Sequence, residues 1–348
     1  MHRLMRSLVA QTRLPDEVVI VDGGSTDDTV AILQSYADKL PLRVLIAPGS
    51  NISEGRNKAI AAAQGDIIAV TDAGVILDPN WLEKITAPLL AEAHCTISGG
   101  FFNPDYTNLF ELAMSATVLP LREEINPATF LPTSRSVGFR KSAWEAVGGY
   151  PEWLDYCEDL IFDLRVKQWI SQQSSVASYQ PEKRYGRQDT SGNVENAFAF
   201  VPDAVVAFRP RGSLRSFFKQ YYLYARGDGK ADLWRKRHAA RYLTYLVALP
   251  VVFLLGWLVH PLLWLLVLPG GYVYMRQPYS RLGKLVASHK SQASSDKQYS
   301  IGELIYLDVM VLVIRVVGDI AKMLGYPVGW IWRLREQPPD WKQITISG

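Results

Sequence analysis

Hydrophobic positions divide the 348-residue chain into two regions of different texture. In the first, short apolar runs alternate with longer mixed stretches. Val18–Val21 and Leu42–Ala47 read as strands, and Ser25-Thr26-Asp27-Asp28 between them offers helix N-cap chemistry for a helix to about Lys39. Ser53 caps a further helix through Ala59–Ala63 that stops at Gly65, followed by a strand from Ile67 to Val70. A helix from Pro79, with Asp78 as its cap, and a strand near Thr96 continue the alternation. This β-α-β-α order predicts an α/β domain with a mostly parallel sheet and helices on both faces. Residues 171–195 lose periodicity and read as a loop insertion; Val201–Phe208 returns as a strand and Leu214–Arg226 as an amphipathic helix.

The second region has a membrane texture. Between Arg241 and Arg276, 34 residues include no Asp, Glu, Lys or Arg. As helix they would span about 51 Å against a hydrocarbon core of about 30 Å, too long for one crossing. A hairpin of short helices, Tyr242–Val259 and Pro261–Met275, turning at His260-Pro261, fits better. Basic residues stand on both sides, Arg235, Lys236 and Arg237 before and Arg281, Lys284 and Lys290 after, which places both flanks in the cytosol. Leu304–Tyr326 is apolar except for Asp308, Arg315, Asp319 and Lys322, which share one helical stripe. That helix is expected in the interface, as a third membrane helix, or with its stripe against neighbours. The organisation is thus a catalytic-type domain over 1–235, a transmembrane hairpin over 241–276, a basic cytosolic loop over 277–303 and an amphipathic helix over 304–335.

Composition narrows the chemistry. Cys95 and Cys157 are the two cysteines and there are five histidines, with no zinc-like spacing. The net charge of +3 comes from 37 basic and 34 acidic residues, the basic ones crowding the membrane flanks, so nucleic acid is not an expected partner. Three acidic stations stand out: Asp22 in V-D-G-G-S-T-D-D-T, Asp72 in T-D-A-G, and Glu158-Asp159 in Y-C-E-D-L-I-F-D-L-R. Asp78 is committed to its cap, whereas Asp72 sits where a strand breaks into a turn, the end at which α/β sheets bind ligands. Asp22 can equally close its own turn. Arg135 and Arg140 bracket S-V-G-F, and each could meet a diphosphate or form a surface ion pair. Asp22-Gly-Gly supplies no G-x-G-x-x-G, which makes a dinucleotide oxidoreductase a distant reading.

Together with G-R-N-K-A-I-A-A-A-Q-G-D-I-I-A-V-T-D-A-G and G-F-R-K-S-A-W-E-A-V-G-G-Y, the stations over roughly residues 1–230 resemble the family 2 glycosyltransferases. The resemblance implies a GT-A fold and inverting transfer from a nucleotide-sugar donor. It implies that Asp22 contacts the nucleoside, that Asp72 holds Mg²⁺ or Mn²⁺ on the diphosphate, and that Asp159 is the general base supported by Glu158. Gln220, Tyr224 and Arg226 match the segment where processive members carry Gln-x-x-Arg-Trp; the Arg-Trp is missing, which implies transfer of one sugar. The expected acceptor is lipid-linked or membrane-proximal, and the expected location is the plasma or inner membrane with the catalytic domain cytosolic. Two departures are plain: Gly74 replaces the second acid of the DxD-type motif, and the family's first strand, which should precede the opening helix, is missing. Loss of an internal strand exposes its neighbours' edges, so the functional protein is expected to start upstream of Met1. The alternative function is a catalytically degenerate GT-A-like membrane scaffold.

Overall fold

The computed structural model describes residues 1–178, 197–292 and 299–339. They form two compact units, one of residues 1–103 with 122–208, the other of residues 104–121 with 209 onward.

The first unit opens with α1 (His2–Val9), β1 (Val18–Asp22), α2 (Thr29–Gln34) and β2 (Leu42–Ile46). β1 and β2 pair in parallel from Val18 opposite Leu42 to Asp22 opposite Ile46. α2 stops at Gln34, short of the expected Lys39, and Asp27 accepts from the Thr29 amide at 3.0 Å at its start. Next come α3 (Ile52–Ala62), β3 (Ile67–Val70), β4 (Val75–Leu77), α4 (Trp81–Ala91) and β5 (Ile97–Pro104). α3 is capped by Asn51 rather than Ser53: Asn51 accepts from the Glu54 amide at 2.9 Å and Glu54 returns the bond. Ser53 is buried and donates instead to the Leu154 carbonyl at 2.7 Å. Asp78 makes the expected local bond, to the Asn80 amide at 3.1 Å, but the helix proper begins at Trp81.

After α5 (Leu109–Val118), which belongs to the second unit, β6 (Val137–Arg140), α6 (Lys141–Ala146), α7 (Glu158–Ser178) and β7 (Phe198–Phe208) complete the first. Five strands join in the order β3-β6-β5-β7-β4. β6 runs antiparallel to β3 and β5, and β4 antiparallel to β7, so the mostly parallel sheet expected from β-α alternation is mixed. β6 lies between β3 and β5 and runs against both, a non-local pairing that the local alternation does not record. α7 carries helix to Ser178, into the stretch read as a loop from 171; polar Gln and Ser residues extend a helix already nucleated by Leu160–Ile170. The remainder, 179–196, lies outside the described residues.

Helices cover both faces. α1 and α2 bury Leu4, Met5, Leu8 and Leu33 with Val18, Ile20 and Ala69, while α3 and α7 bury Ile60, Phe162 and Val166 with Val19, Ile68 and Val70. Alternate residues of β1 and β3 thus point to opposite layers, the period-two signature of a strand covered on both sides.

The second unit is helical: α5, α8 (Leu214–Ala231), α9 (Arg235–Leu243), α10 (Leu249–Leu258), α11 (Val267–Gln292) and α12 (Ile301–Glu336). α9 runs into α10 through a π-helical turn at Thr244–Ala248, so Arg235–Leu258 is 24 residues long, with mean hydropathy 1.7 in its apolar window. Among the described residues it is the one helix long and apolar enough to cross a membrane. The expected turn at His260-Pro261 is present, but Pro261–Leu266 is a 3-10 helix and α11 continues past Arg276 and Lys284. The residues placed in a second crossing and a basic loop are therefore largely one mixed helix as far as Gln292. Pro278 lies inside α11 and interrupts its hydrogen-bond ladder without ending the helix.

α12 packs on α8 through glycines. A Cβ on Gly325 would meet the Tyr222 carbonyl oxygen at 2.2 Å, and one on Gly329 would meet that of Arg226 at 1.9 Å. The spacing G-Y-P-V-G puts both on one face, so the backbones touch. The charged stripe is partly buried here: Asp319 accepts from Arg241 at 2.8 Å and from Tyr274 at 2.6 Å.

Candidate functional site

The hub of the site is Arg56, a residue to which the sequence reading assigned no role. α3, fixed by its capping box, delivers Arg56 one turn inside its N-terminus. Its side chain is 11% exposed, and the two arms of its guanidinium grip different carboxylates. Nη2 donates to Asp72 Oδ1 at 2.7 Å and Nη1 to Glu158 Oε1. A planar fork with fixed donors suits such bridging, which an ammonium cannot reproduce. The guanidinium carbon also lies 5.5 Å from the centre of the Tyr150 ring. Burial alone would lower its pKa; Tyr150, Asp72, Glu158 and Asp159 outweigh that and hold the cation charged.

Asp72 lies two residues past β3, with a third of its side chain exposed. Its second oxygen faces Arg135 Nε at 3.7 Å. Arg135 is steered there by Thr71, whose hydroxyl donates to the Arg135 carbonyl at 2.8 Å, and by the rings of Phe208 and Phe102 at 4.7 and 5.6 Å. Arg140 goes elsewhere. β6 runs opposite to β3, with Val137 against Val70 and Arg140 against Ile67, so the two arginines stand at opposite ends of one short strand. The Arg140 guanidinium donates to the carbonyls of Cys95 (2.9 Å), Leu89 (2.7 Å) and Glu92 (3.1 Å), closing the end of α4. It is a structural residue at the far end of the strand rather than a diphosphate contact.

Glu158 and Asp159 form the first turn of α7, where the helix dipole favours negative charge. Cys157 immediately before them has φ 64°, a left-handed conformation for a residue with a Cβ. Such strain costs about 1–3 kcal/mol and is characteristic of sites whose geometry is set by surrounding contacts. Glu158 is 7% exposed; burial pushes its carboxyl up, the neighbouring Asp159 charge adds to this, and Arg56 opposes both. Asp159 Oδ1 accepts from the Leu160 amide at 2.9 Å and Oδ2 from the Ser134 amide at 3.4 Å. Ser134 Oγ is 3.1 Å from the buried Tyr150 hydroxyl, tying the Asp159 and Arg56 surroundings together.

Asp22 is turned inward. Its Oδ2 accepts from the Gly24 amide at 3.0 Å and the Ser25 amide at 2.9 Å, and the hydrogen bonds of Ser25 lower its pKa. Its carboxylate closes the β1 turn, as Asp-Gly-Gly chemistry allows. Gln220, Tyr224 and Arg226 fall on α8 in the second unit, where Gln220 donates to the Tyr224 hydroxyl at 2.7 Å, an i to i+4 bond along the helix. Four of the expected residues, Asp72, Arg135, Glu158 and Asp159, are therefore brought together. Among the described residues no group of three or more His, Cys, Asp or Glu could hold a metal. Asp72 remains a single carboxylate; Gly74 leaves it without an acidic partner.

An arginine and a carboxylate pair at the carboxyl end of a strand suit a negatively charged ligand whose reaction partner loses a proton. Residues 1–146 match the model of glycosyl transferase family 2. The O-antigen chain rhamnosyltransferase WbaN of Salmonella anatum is 27% identical over 172 residues, covering 45% of this chain and 53% of that protein. The succinoglycan biosynthesis protein ExoA of Rhizobium meliloti (strain 1021) is 26% identical over 280 residues, 75% of this chain and 74% of that protein. This chain thus spans about half the length of WbaN. A mannosyltransferase from Pyrobaculum calidifontis, solved with GDP-Man and Mn²⁺, superposes with a TM-score of 0.46 at 16% identity over 97% of this chain and 83% of that one. The first unit is a mixed sheet with helices on both sides. Over residues 1–146 the chain is thus similar to glycosyltransferase family 2.

Proposed function

We propose that this protein transfers a single sugar from a nucleotide-sugar donor to an acceptor presented at a membrane, with inversion at the anomeric carbon. One observation carries the reading: within a family 2 domain, Asp72 and Glu158 share the buried Arg56, and Asp159 stands beside Glu158 at the start of α7. Asp159 is the general base. It takes the proton of the acceptor hydroxyl as that oxygen bonds the anomeric carbon, while the bond to the donor's diphosphate oxygen breaks and its electrons leave with the nucleoside diphosphate. Arg135, beside Asp72, and Arg56 offset the charge that develops on that leaving group. Glu158, fixed by Arg56, orients the first turn of α7 and so positions Asp159. Asp22 shapes the nucleoside end through the turn it closes.

The residues fit a divalent cation in its sparest form. Asp72 Oδ2 faces Arg135 at the long distance of 3.7 Å, and one carboxylate plus substrate phosphate oxygens and water is a set that Mg²⁺ accepts. When bound, Mg²⁺ or Mn²⁺ would neutralise diphosphate charge.

Membrane attachment is supported by Arg235–Leu258, whose Trp257 and Leu258 are 80% and 69% exposed, and by Arg235, Lys236 and Arg237 at its start. With the basic flank inside, the catalytic unit is cytosolic and the acceptor lipid-linked or membrane-proximal. O-antigen and succinoglycan, in the names of the two relatives, support a cell-envelope glycan as product. Gln220, Tyr224 and Arg226 are the acceptor-side residues of this reading. Calorimetry with UDP- and GDP-sugars and Mg²⁺ or Mn²⁺ tests it: one donor binds in the micromolar to millimolar range. Binding of none would favour the degenerate scaffold, the reading suggested by Gly74 and the inward-turned Asp22.

A further inference from the structure

In the second unit a saturated carboxylate leaves two cations of α12 over. Asp319, buried on α12, has both oxygens engaged: Oδ1 accepts from Arg241 Nε at 2.8 Å, and Oδ2 from the hydroxyls of Tyr274 at 2.6 Å and Tyr245 at 3.3 Å. An arginine only donates, so His238 Nδ1, 3.2 Å from Arg241 Nη1, accepts, and the imidazole proton sits on Nε2, 3.3 Å from Asp228 Oδ2. His238 is thereby neutral and adds no charge to the cluster.

Arg315 and Lys322 stand one turn before and one turn after Asp319 on the same helical face. Arg315 Nε is buried with no hydrogen-bond partner among the described residues, and the guanidinium carbon lies over the Tyr274 ring at 4.8 Å. The Lys322 ammonium rests over the Tyr221 ring at 5.0 Å. A ring face attracts a cation but leaves its N–H groups short of oxygen acceptors. Arg241, Arg315, Asp319 and Asp228 all act on the Lys322 charge, so Arg241, Arg315 and Lys322 share this space with two carboxylates, one positive charge in excess. Burying charge in excess is costly unless a counter-charge completes it. What the cluster lacks is an anion rich in oxygen.

The surroundings give the class of that anion. Arg241 and Tyr245 stand where Arg235–Leu258 begins its uncharged run, and Leu243, Leu246 and Val247 beside them are exposed. Tyr272 and Val273 next to Tyr274, and Ile320 next to Asp319, are exposed too. An unfilled cationic cluster at the basic end of an apolar span, with open apolar surface adjoining it on three elements, suits a ligand that is phosphate at one end and hydrocarbon at the other.

We propose that Arg315 and Lys322 hold the phosphate of a membrane lipid, whose hydrocarbon lies along the exposed apolar residues of Arg235–Leu258. Phosphate oxygens accept from Arg315 Nε and from the Lys322 ammonium, and the added negative charge balances the cluster. The site lies wholly within the second unit and uses none of the residues around Arg56. It rests on the membrane attachment proposed above and not on the transfer chemistry.

The test is a titration of the full chain in neutral detergent, read by native mass spectrometry and thermal shift, with short-chain phosphatidic acid, diacylglycerol of the same chain length, and inorganic phosphate. Phosphatidic acid should bind and raise Tm, with the other two at least about tenfold weaker. Arg315→Gln and Lys322→Gln should each weaken phosphatidic acid by about tenfold or more, whereas Lys236→Gln, on the exposed basic flank, should change it by less than about twofold. Inorganic phosphate binding as tightly overturns the lipid as source, and diacylglycerol binding as tightly overturns the phosphate. Unchanged affinity in both glutamine variants, or an equal loss in Lys236→Gln, overturns the site. Should a glutamine variant fail to fold, the three-ligand comparison on the wild type still decides. Donor calorimetry reads none of these outcomes, so this site and the transfer reading fail separately.

Discussion

Replacing Arg56 by Met keeps most of the side-chain volume and removes the charge on which Asp72 and Glu158 converge. The carboxylate of Glu158, 7% exposed, then faces Asp159 with no cation. Breaking a buried pair by deleting one partner costs about 3–5 kcal/mol, because the survivor is left uncompensated. For a unit of this size that lowers Tm by about 6–20 °C. The pH dependence gives the signature. Burial and Asp159 already hold the Glu158 pKa above its ordinary 4.5, and Arg56 is the opposing influence. Removing it raises the folded value further, so stability present below the unfolded pKa is lost as pH rises through the folded one. The deficit of Arg56→Met should therefore be small near pH 4 and large at pH 8. Arg56→Lys should recover part of it, since a point charge reaches one carboxylate but not both. Urea denaturation of both variants at several pH values is the assay. A deficit below about 1 kcal/mol at pH 8, or one independent of pH, would refute the idea that Arg56 is the electrostatic hub.

Three further outcomes follow from individual contacts. Asp163, one turn after Asp159, is 2% exposed and its Oδ2 lacks a hydrogen-bond partner among the described residues; burial, then the Asp159 charge, raise its pKa well above 3.8. Wild-type stability then falls as pH rises above about 4, so Asp163→Asn should gain relative to wild type between pH 4 and pH 8 in urea titrations, and a constant difference would contradict this. Gly329→Val places side-chain carbon against the Arg226 carbonyl and should disrupt α8–α12 packing by about 1–3 kcal/mol or more, seen as a lower Tm or lost expression. Unchanged stability would mean the two backbones are not in contact. Cys157→Gly relieves the left-handed strain and should stabilise by up to about 1 kcal/mol in the same titration, whereas a loss would show that the thiol side chain contributes more than the strain costs.

Much of this was legible in the sequence where local rules govern. The strands at Val18, Leu42 and Ile67 and the helix after Asn51 follow from apolar runs, caps and glycines, and the acidic stations mark strand ends. Arg56 was not legible as a hub, because G-R-N-K on a helix start looks like a solvated face until α7 brings Glu158 against it. Arg140 was misplaced because its strand direction is set by pairing between residues about 70 apart in sequence, which no local pattern records. The same non-local pairing makes the sheet mixed. Gly325 and Gly329 lie in an apolar helix, and only the approach of α8 shows why no Cβ is tolerated there. The bounds of the helix after His260 were not legible: Pro261 begins a 3-10 turn and the helix beyond continues into basic residues.

The central claim is that Asp159 is the base of a sugar transfer. Its most direct test is release of nucleoside diphosphate and labelling of membrane acceptors by the purified protein with its bound donor, compared with Asp159→Asn. The account predicts a fall in turnover of about 10²–10⁴-fold with donor affinity retained. Undiminished turnover in Asp159→Asn would contradict it.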